Sequence, residues 1–197
     1  ADYNGGEFKK GFEVPEDINV DTPIRYAFAN FGIHPSFAMN RNDWSFDIGA
    51  SVFYSADMEH SDNKVFVYPN VTASLKVVGD LMVFYVGADG TLEQNSFRDL
   101  TNRNPYLSPT LQGIRPGEFG IKPTDKQMDA FAGLKGKLSN YISYNVRGSL
   151  LAERNKILFK SNPYDETLLF QDVYQHGNSF GIVYDNVRTL TFSGEVN

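Results

Sequence analysis

The stretch that decides the fold is Val65-Phe66-Val67-Tyr68-Pro69-Asn70-Val71-Thr72-Ala73-Ser74-Leu75-Lys76-Val77, which turns through Val78-Gly79-Asp80 into Leu81-Met82-Val83-Phe84-Tyr85-Val86-Gly87-Ala88-Asp89. Val65, Val67, Val71, Ala73, Leu75 and Val77 share one parity, while Phe66, Tyr68, Asn70, Thr72, Ser74 and Lys76 share the other. A period of two places each set on its own face of an extended strand. The Gly-Asp pair between the two runs is hairpin chemistry. Working outward, Trp44, Phe46, Ile48, Ala50, Val52 and Tyr54 oppose Ser45, Asp47, Gly49, Ser51 and Phe53. Met128, Ala130, Ala132 and Leu134 oppose Asp129, Phe131, Gly133 and Lys135, and Ile142 to Leu150 alternates in the same way. An earlier segment, 27–39, and two later ones, about 179–185 and 188–197, complete about eight strands. No long window carries helical spacing. The predicted fold class is all-β, an antiparallel up-and-down meander.

The connections alternate as the strands do. Tight turns are expected at 40–43, 78–80, 139–141 and 185–186, and long loops at about 56–63, 94–126 and 156–178. All tight turns then fall at one end of the meander and all long loops at the other. Residues 1–23 read as a loop or incoming segment and 24–197 as the strands with their loops.

Alternation alone does not separate a half-wet sheet from a membrane wall. Length and charge do. Several strands run for about 12–14 residues, enough at about 3.3 Å per residue and a 45° tilt to cross a bilayer's hydrocarbon core. The apolar parity carries no charge at mid-strand, whereas the polar parity collects Asp47, Lys76, Asp89, Asp129, Lys135 and Arg147. Trp44, Tyr54, Tyr141, Tyr144 and Tyr184 sit near expected strand ends, where membrane-interface aromatics belong. These features point to a transmembrane β-barrel or a segment of one. The alternative is a soluble secreted or periplasmic β-sandwich binding carbohydrate or protein through exposed tyrosines.

Composition removes other classes. The 197 residues hold 24 acids against 18 bases, a net charge of -6 that argues against a nucleic-acid partner. The absence of cysteine excludes disulfides, thiol nucleophiles and thiolate metal sites. The longest apolar run, Leu81 to Ala88, is far short of a membrane-spanning helix. Sixteen Phe and eleven Tyr in a chain of mean hydropathy -0.36 make sense once the apolar and polar faces are counted apart.

The runs Asn63 to Pro109 and Asp129 to Glu153 resemble barrel segments of TonB-dependent-receptor-type outer-membrane proteins. The resemblance implies a Gram-negative outer membrane, contact with membrane lipid, a small-molecule or oligomeric nutrient, and an energy-coupling or surface lipoprotein partner. No plug domain, TonB-interacting box or terminal aromatic strand is found. A barrel fragment is therefore the expectation, with a complete eight-stranded barrel as the other possibility.

Chemistry-bearing motifs are sparse. His34, His60 and His176 are scattered, and Asp57-Met58-Glu59-His60-Ser61-Asp62 reads as a solvated loop before it reads as a metal site. Asp17-Ile18-Asn19-Val20-Asp21 has calcium-loop spacing at first, but Phe28 stands where the bidentate Glu is needed. Ser51 lacks the second glycine of a nucleophile elbow. The expectation is no enzyme activity, no catalytic residues, no metal and no cofactor. The functional weight falls on 94–126, which is too rich in apolar residues for a disordered tract. There Phe97, Arg98, Arg103, Tyr106, Arg115 and Phe119 are ligand-contact candidates, joined by Tyr164 and Tyr174 from 156–178. The loop is expected to fold over or into a barrel mouth.

Overall fold

The computed structural model describes residues 1–9, 24–58, 63–108, 121–139, 141–161 and 179–197. The strands are β1 (Asp2–Phe8), β2 (Ile24–Ile33), β3 (Ser36–Arg41), β4 (Trp44–Asp57), β5 (Lys64–Val78), β6 (Met82–Glu93), β7 (Thr124–Lys137), β8 (Ser143–Ser161) and β9 (Phe180–Val196). One short helix, α1 (Phe97–Arg103), interrupts them. All strands form one antiparallel sheet in the order β1-β2-β4-β5-β6-β7-β8-β9, curled into a half-barrel. Strand β3 pairs with β4 directly beyond β2, so β2 and β3 run along the same side of β4, broken only at His34-Pro35.

The register carries the sequence pattern across the whole sheet. Phe37, Ile48, Val71, Ala88, Ala130, Leu150 and Leu190 stand in one row. Met39, Phe46, Ala73, Val86, Ala132, Gly148 and Phe192 make the next. Between them runs Ala38, Asp47, Thr72, Gly87, Phe131, Ser149 and Thr191. A slip of one residue in any pair would mix these rows, so the alternation fixes the pairing. Pro69 lies just beyond Asn70↔Asp89, the last pair of the β5–β6 ladder, where its missing N–H costs no bond to β6.

The tight turns fall where expected at three sites. Asn42 (φ 51°) and Gly79 (φ 49°) supply the left-handed residues of two turns, and Leu138 and Ser139 N–H both donate to Ile142 O in the third. The hairpin expected at Asp185-Asn186 is absent, because β9 runs straight through it. Glu153 pairs with Val187 and Lys156 with Asp185, so Arg154 and Asn155 bulge opposite Asn186. Asn155 takes the positive φ of 52° in that bulge. Residues 156–161, expected in a loop, therefore extend β8. Likewise residues 2–8 form β1 on the edge of β2 and are not part of an incoming loop.

Candidate functional site

The connection between β6 and β7 folds into the concave side of the half-barrel. It starts by capping itself: Ser96 Oγ accepts from Asp99 N at 3.1 Å, which opens α1, and Asn104 N–H donates to Leu100 O at its end. One side of the segment is tied to the first strands. Asn30 Nδ2 donates to Gln94 Oε1 at 2.6 Å, and Asn4 Nδ2 donates to Asn95 O. Its other side is tied to the last strand, where Ser108 N donates to Phe180 O at 2.8 Å and Phe180 N donates to Tyr106 O at 2.9 Å. Asn95 Nδ2 reaches Lys122 O and Thr124 Oγ1, both at 2.9 Å, and so joins the two ends of the connection. Residues 94–108 thus cross from β1 and β2 to β9, strands at opposite ends of the sheet.

Burial explains why the segment stays there. Leu100, Leu107 and Ile121 from the connection pack with Tyr26, Ile157 and Ile182 from the wall in one buried cluster, with Phe97, Phe159 and Tyr184 against it. Leu100 is completely inaccessible. Each such side chain contributes about 1.5–3 kcal/mol when removed from water. A loop built this way is an inner element of the wall.

Toward the tight-turn end the concave face is aromatic and charged. The Tyr85 ring covers Gly133 and the Phe131 ring covers Gly87; a Cβ on either glycine would lie 2.5 Å from a ring carbon. Arg147 lies over Phe131 with Cζ 4.0 Å from the ring centroid and donates to Asp129 Oδ2 at 3.1 Å. Lys135 Nζ stands 5.4 Å from the Tyr85 ring, whose hydroxyl donates to Asn145 Oδ1 at 2.7 Å. Higher up, Tyr68 OH donates to Asp125 Oδ1 at 2.8 Å in a buried pair. Of the charges expected on the polar parity, Lys135 and Arg147 are thus held on this face by aromatic rings, and Asp129 is held by Arg147.

The loop candidates separate into different roles. Phe97 packs on the buried cluster. Arg98 is exposed on α1, and Arg103 is exposed with its Cζ 5.5 Å from the Phe159 ring centroid. Tyr106 is 70% exposed, its backbone held by β9 and its ring open to solvent. Arg115, Phe119, Tyr164 and Tyr174 lie outside the described residues. Among the rim aromatics, Trp44 stacks on Phe46 at the tight-turn end (5.5 Å, 3°), where Tyr144 OH donates to Leu81 O and Tyr141 is 91% exposed. Tyr54 is exposed toward the opposite end of β4. Tyr184 does not belong to a rim. It packs on the buried cluster, and its hydroxyl accepts from Lys122 N at 2.8 Å. The β8 bulge breaks the alternation used to place it.

Sequence spacing did not reveal that His34 has a partner: Nδ1 lies 2.9 Å from Ser51 Oγ, with the Phe53 ring edge-on to the imidazole at 5.2 Å. Ser51 is 5% exposed, so this contact fastens the β2–β3 break to β4 rather than offering a nucleophile to solvent. His60 and His176 lie outside the described residues. Among the described residues no group of three or more His, Asp or Glu is placed to hold a metal ion.

No family model matches the chain, and no curated protein sequence matches it. Among solved structures the chain is similar to one described as Copper transporter OprC, with a TM-score of 0.54 and 15% identity over 89% of this chain. The match covers 26% of that protein, so the chain spans about a quarter of its length. At this identity the likeness carries the fold alone, a curved, barrel-like β wall.

Proposed function

We propose that the chain forms barrel wall of an outer-membrane receptor or transporter in a Gram-negative bacterium, which binds or passes a nutrient at the cell surface. The observation that carries this reading is the convex face. Ile48, Val67, Val86, Val146, Leu190 and Phe192 stand there 43–79% exposed, in rows continuous over neighbouring strands. Monomers in water rarely expose more than a few hundred Å² of contiguous apolar surface, whereas a bilayer covers such a face. Among the described residues no second sheet packs on it, which disfavours a soluble sandwich. On this reading Arg103 and Tyr106, both exposed on the inward-folded segment 94–108, serve as ligand contacts. A TonB-dependent type of coupling, with its energy-coupling or lipoprotein partner, follows from the sequence resemblance. The protein acts without catalysis, and assays of lipid and peptide hydrolysis should stay at background. The decisive experiment is purification with and without detergent. A detergent requirement with heat-modifiable gel mobility is expected; a monodisperse aqueous monomer would overturn the reading.

A further inference from the structure

Between the wall and Lys122-Pro123, at the far end of the β6–β7 connection, lies a cavity of about 210 Å³. Its wall side is set by register: Asp57 pairs with Phe28 across β2–β4, Lys64 pairs with Ser55 across β4–β5, and Phe66 follows two residues beyond Lys64 on the same face. Asp57 and Lys64 are diagonal neighbours on that face. The opposite side is Lys122, carried by the connection. Its backbone is fixed twice, since its N–H donates to Tyr184 OH at 2.8 Å and its C=O accepts from Asn95 Nδ2 at 2.9 Å. Pro123 restricts the backbone next to it.

We infer that this cavity binds a small zwitterion, a molecule with one ammonium and one carboxylate a few ångströms apart, as in a free amino acid. The inference rests on the receptor reading above and names its ligand class. Two lysines and one aspartate surround the space. A simple anion would face Asp57, and a simple cation would face both lysines. A zwitterion gives its carboxylate to Lys64 and Lys122 and its ammonium to Asp57, leaving Phe28 and Phe66 for a short apolar side chain. Lys122 Nζ stands 5.8 Å from the Tyr184 ring centroid, and Asp57 and Lys64 each interact within the chain, so the ligand enters by exchange of partners. The size agrees, being below the roughly 300–1,000 Å³ of sites for drug-sized molecules.

The test is equilibrium dialysis of the detergent-solubilised chain against L-alanine, propionate and ethylammonium. L-Alanine is expected to bind saturably at one site, with the two half-molecules weaker by at least about tenfold. Lys122→Met and, separately, Lys64→Met should each weaken L-alanine by about tenfold or more. Lys126→Met, which removes the partner of Glu93 outside the cavity, should leave binding unchanged. Propionate binding as tightly as L-alanine, no saturable binding, or full binding by both lysine variants would each overturn the inference. Heat-modifiable mobility of the same samples reports separately on the barrel reading.

Discussion

Placing a charge on each of two adjacent residues tests the membrane reading most directly. Leu150 lies in the row between Ala130 and Leu190 on the convex face, and Ser149 lies in the next row between Phe131 and Thr191 on the concave face. The Leu150 row falls between the Trp44 row at one end and the Tyr54 row at the other, near the middle of the apolar band. Leu150→Arg would put a guanidinium into hydrocarbon, at about 2–4 kcal/mol for a barrel residue near the bilayer midplane. That corresponds to a fall of about 30- to 900-fold in the folding equilibrium constant. Ser149→Arg points the same charge to the wet side, close to Arg147, and should cost within about 1 kcal/mol. Urea titrations in lipid vesicles measure both, with the single tryptophan, Trp44, as reporter. Equal costs, or a larger cost at Ser149, would refute the assignment of faces.

Three further perturbations probe the interior. Gly133→Ala puts a Cβ 2.5 Å from both the Tyr85 ring and Val146 O; with backbone on one side it should destabilise by about 1–3 kcal/mol, read as a lower urea midpoint. Asn95→Ala removes the donor shared by Lys122 O and Thr124 Oγ1 and should raise protease cleavage within 94–123 by about tenfold, while strand cores stay protected. Asp80, in the β5–β6 turn, has its carboxyl held below the usual range by the hydrogen bond and charge of Lys76, with Lys137 adding a smaller pull. Its folded-state pKa is depressed, so its contribution is present above the ordinary carboxylate pKa and is lost as pH falls through the lowered value. Carboxyl-carbon NMR should show that titration move back up in Lys76→Met.

What could be read from the chain depended on how far each determinant reaches. The faces of β4 to β8 follow from parity, a property of neighbouring residues, and the pairing preserves it row by row. Asp185-Asn186 has turn residues but lies in a continuous strand, because the positive-φ residue that the register needs is Asn155 on the partner. Asn and Asp serve bulges and turns alike, so the side chains do not tell the two apart. Asp2 to Phe8 carries Gly5-Gly6 and little alternation; its strand form comes from the register it shares with β2.

The inward segment marks the limit of this kind of reading. Its apolar residues signalled order, and its helix start is written in Ser96 and Asp99, three residues apart. Its destination is set by contacts such as Asn30–Gln94, 64 residues apart, and Asn4–Asn95, 91 apart. Those contacts exist only once the sheet has curved enough to bring β2 and β9 to opposite sides of one connection. Curvature in turn depends on the glycines beneath Tyr85 and Phe131 and on the bulges in β7 and β8. The wall is therefore encoded locally, while the surface facing a ligand is encoded by the wall. Substitutions that leave strand pairing intact but flatten the sheet should release residues 94–108 and disperse the cavity beside Lys122 before they unfold the barrel.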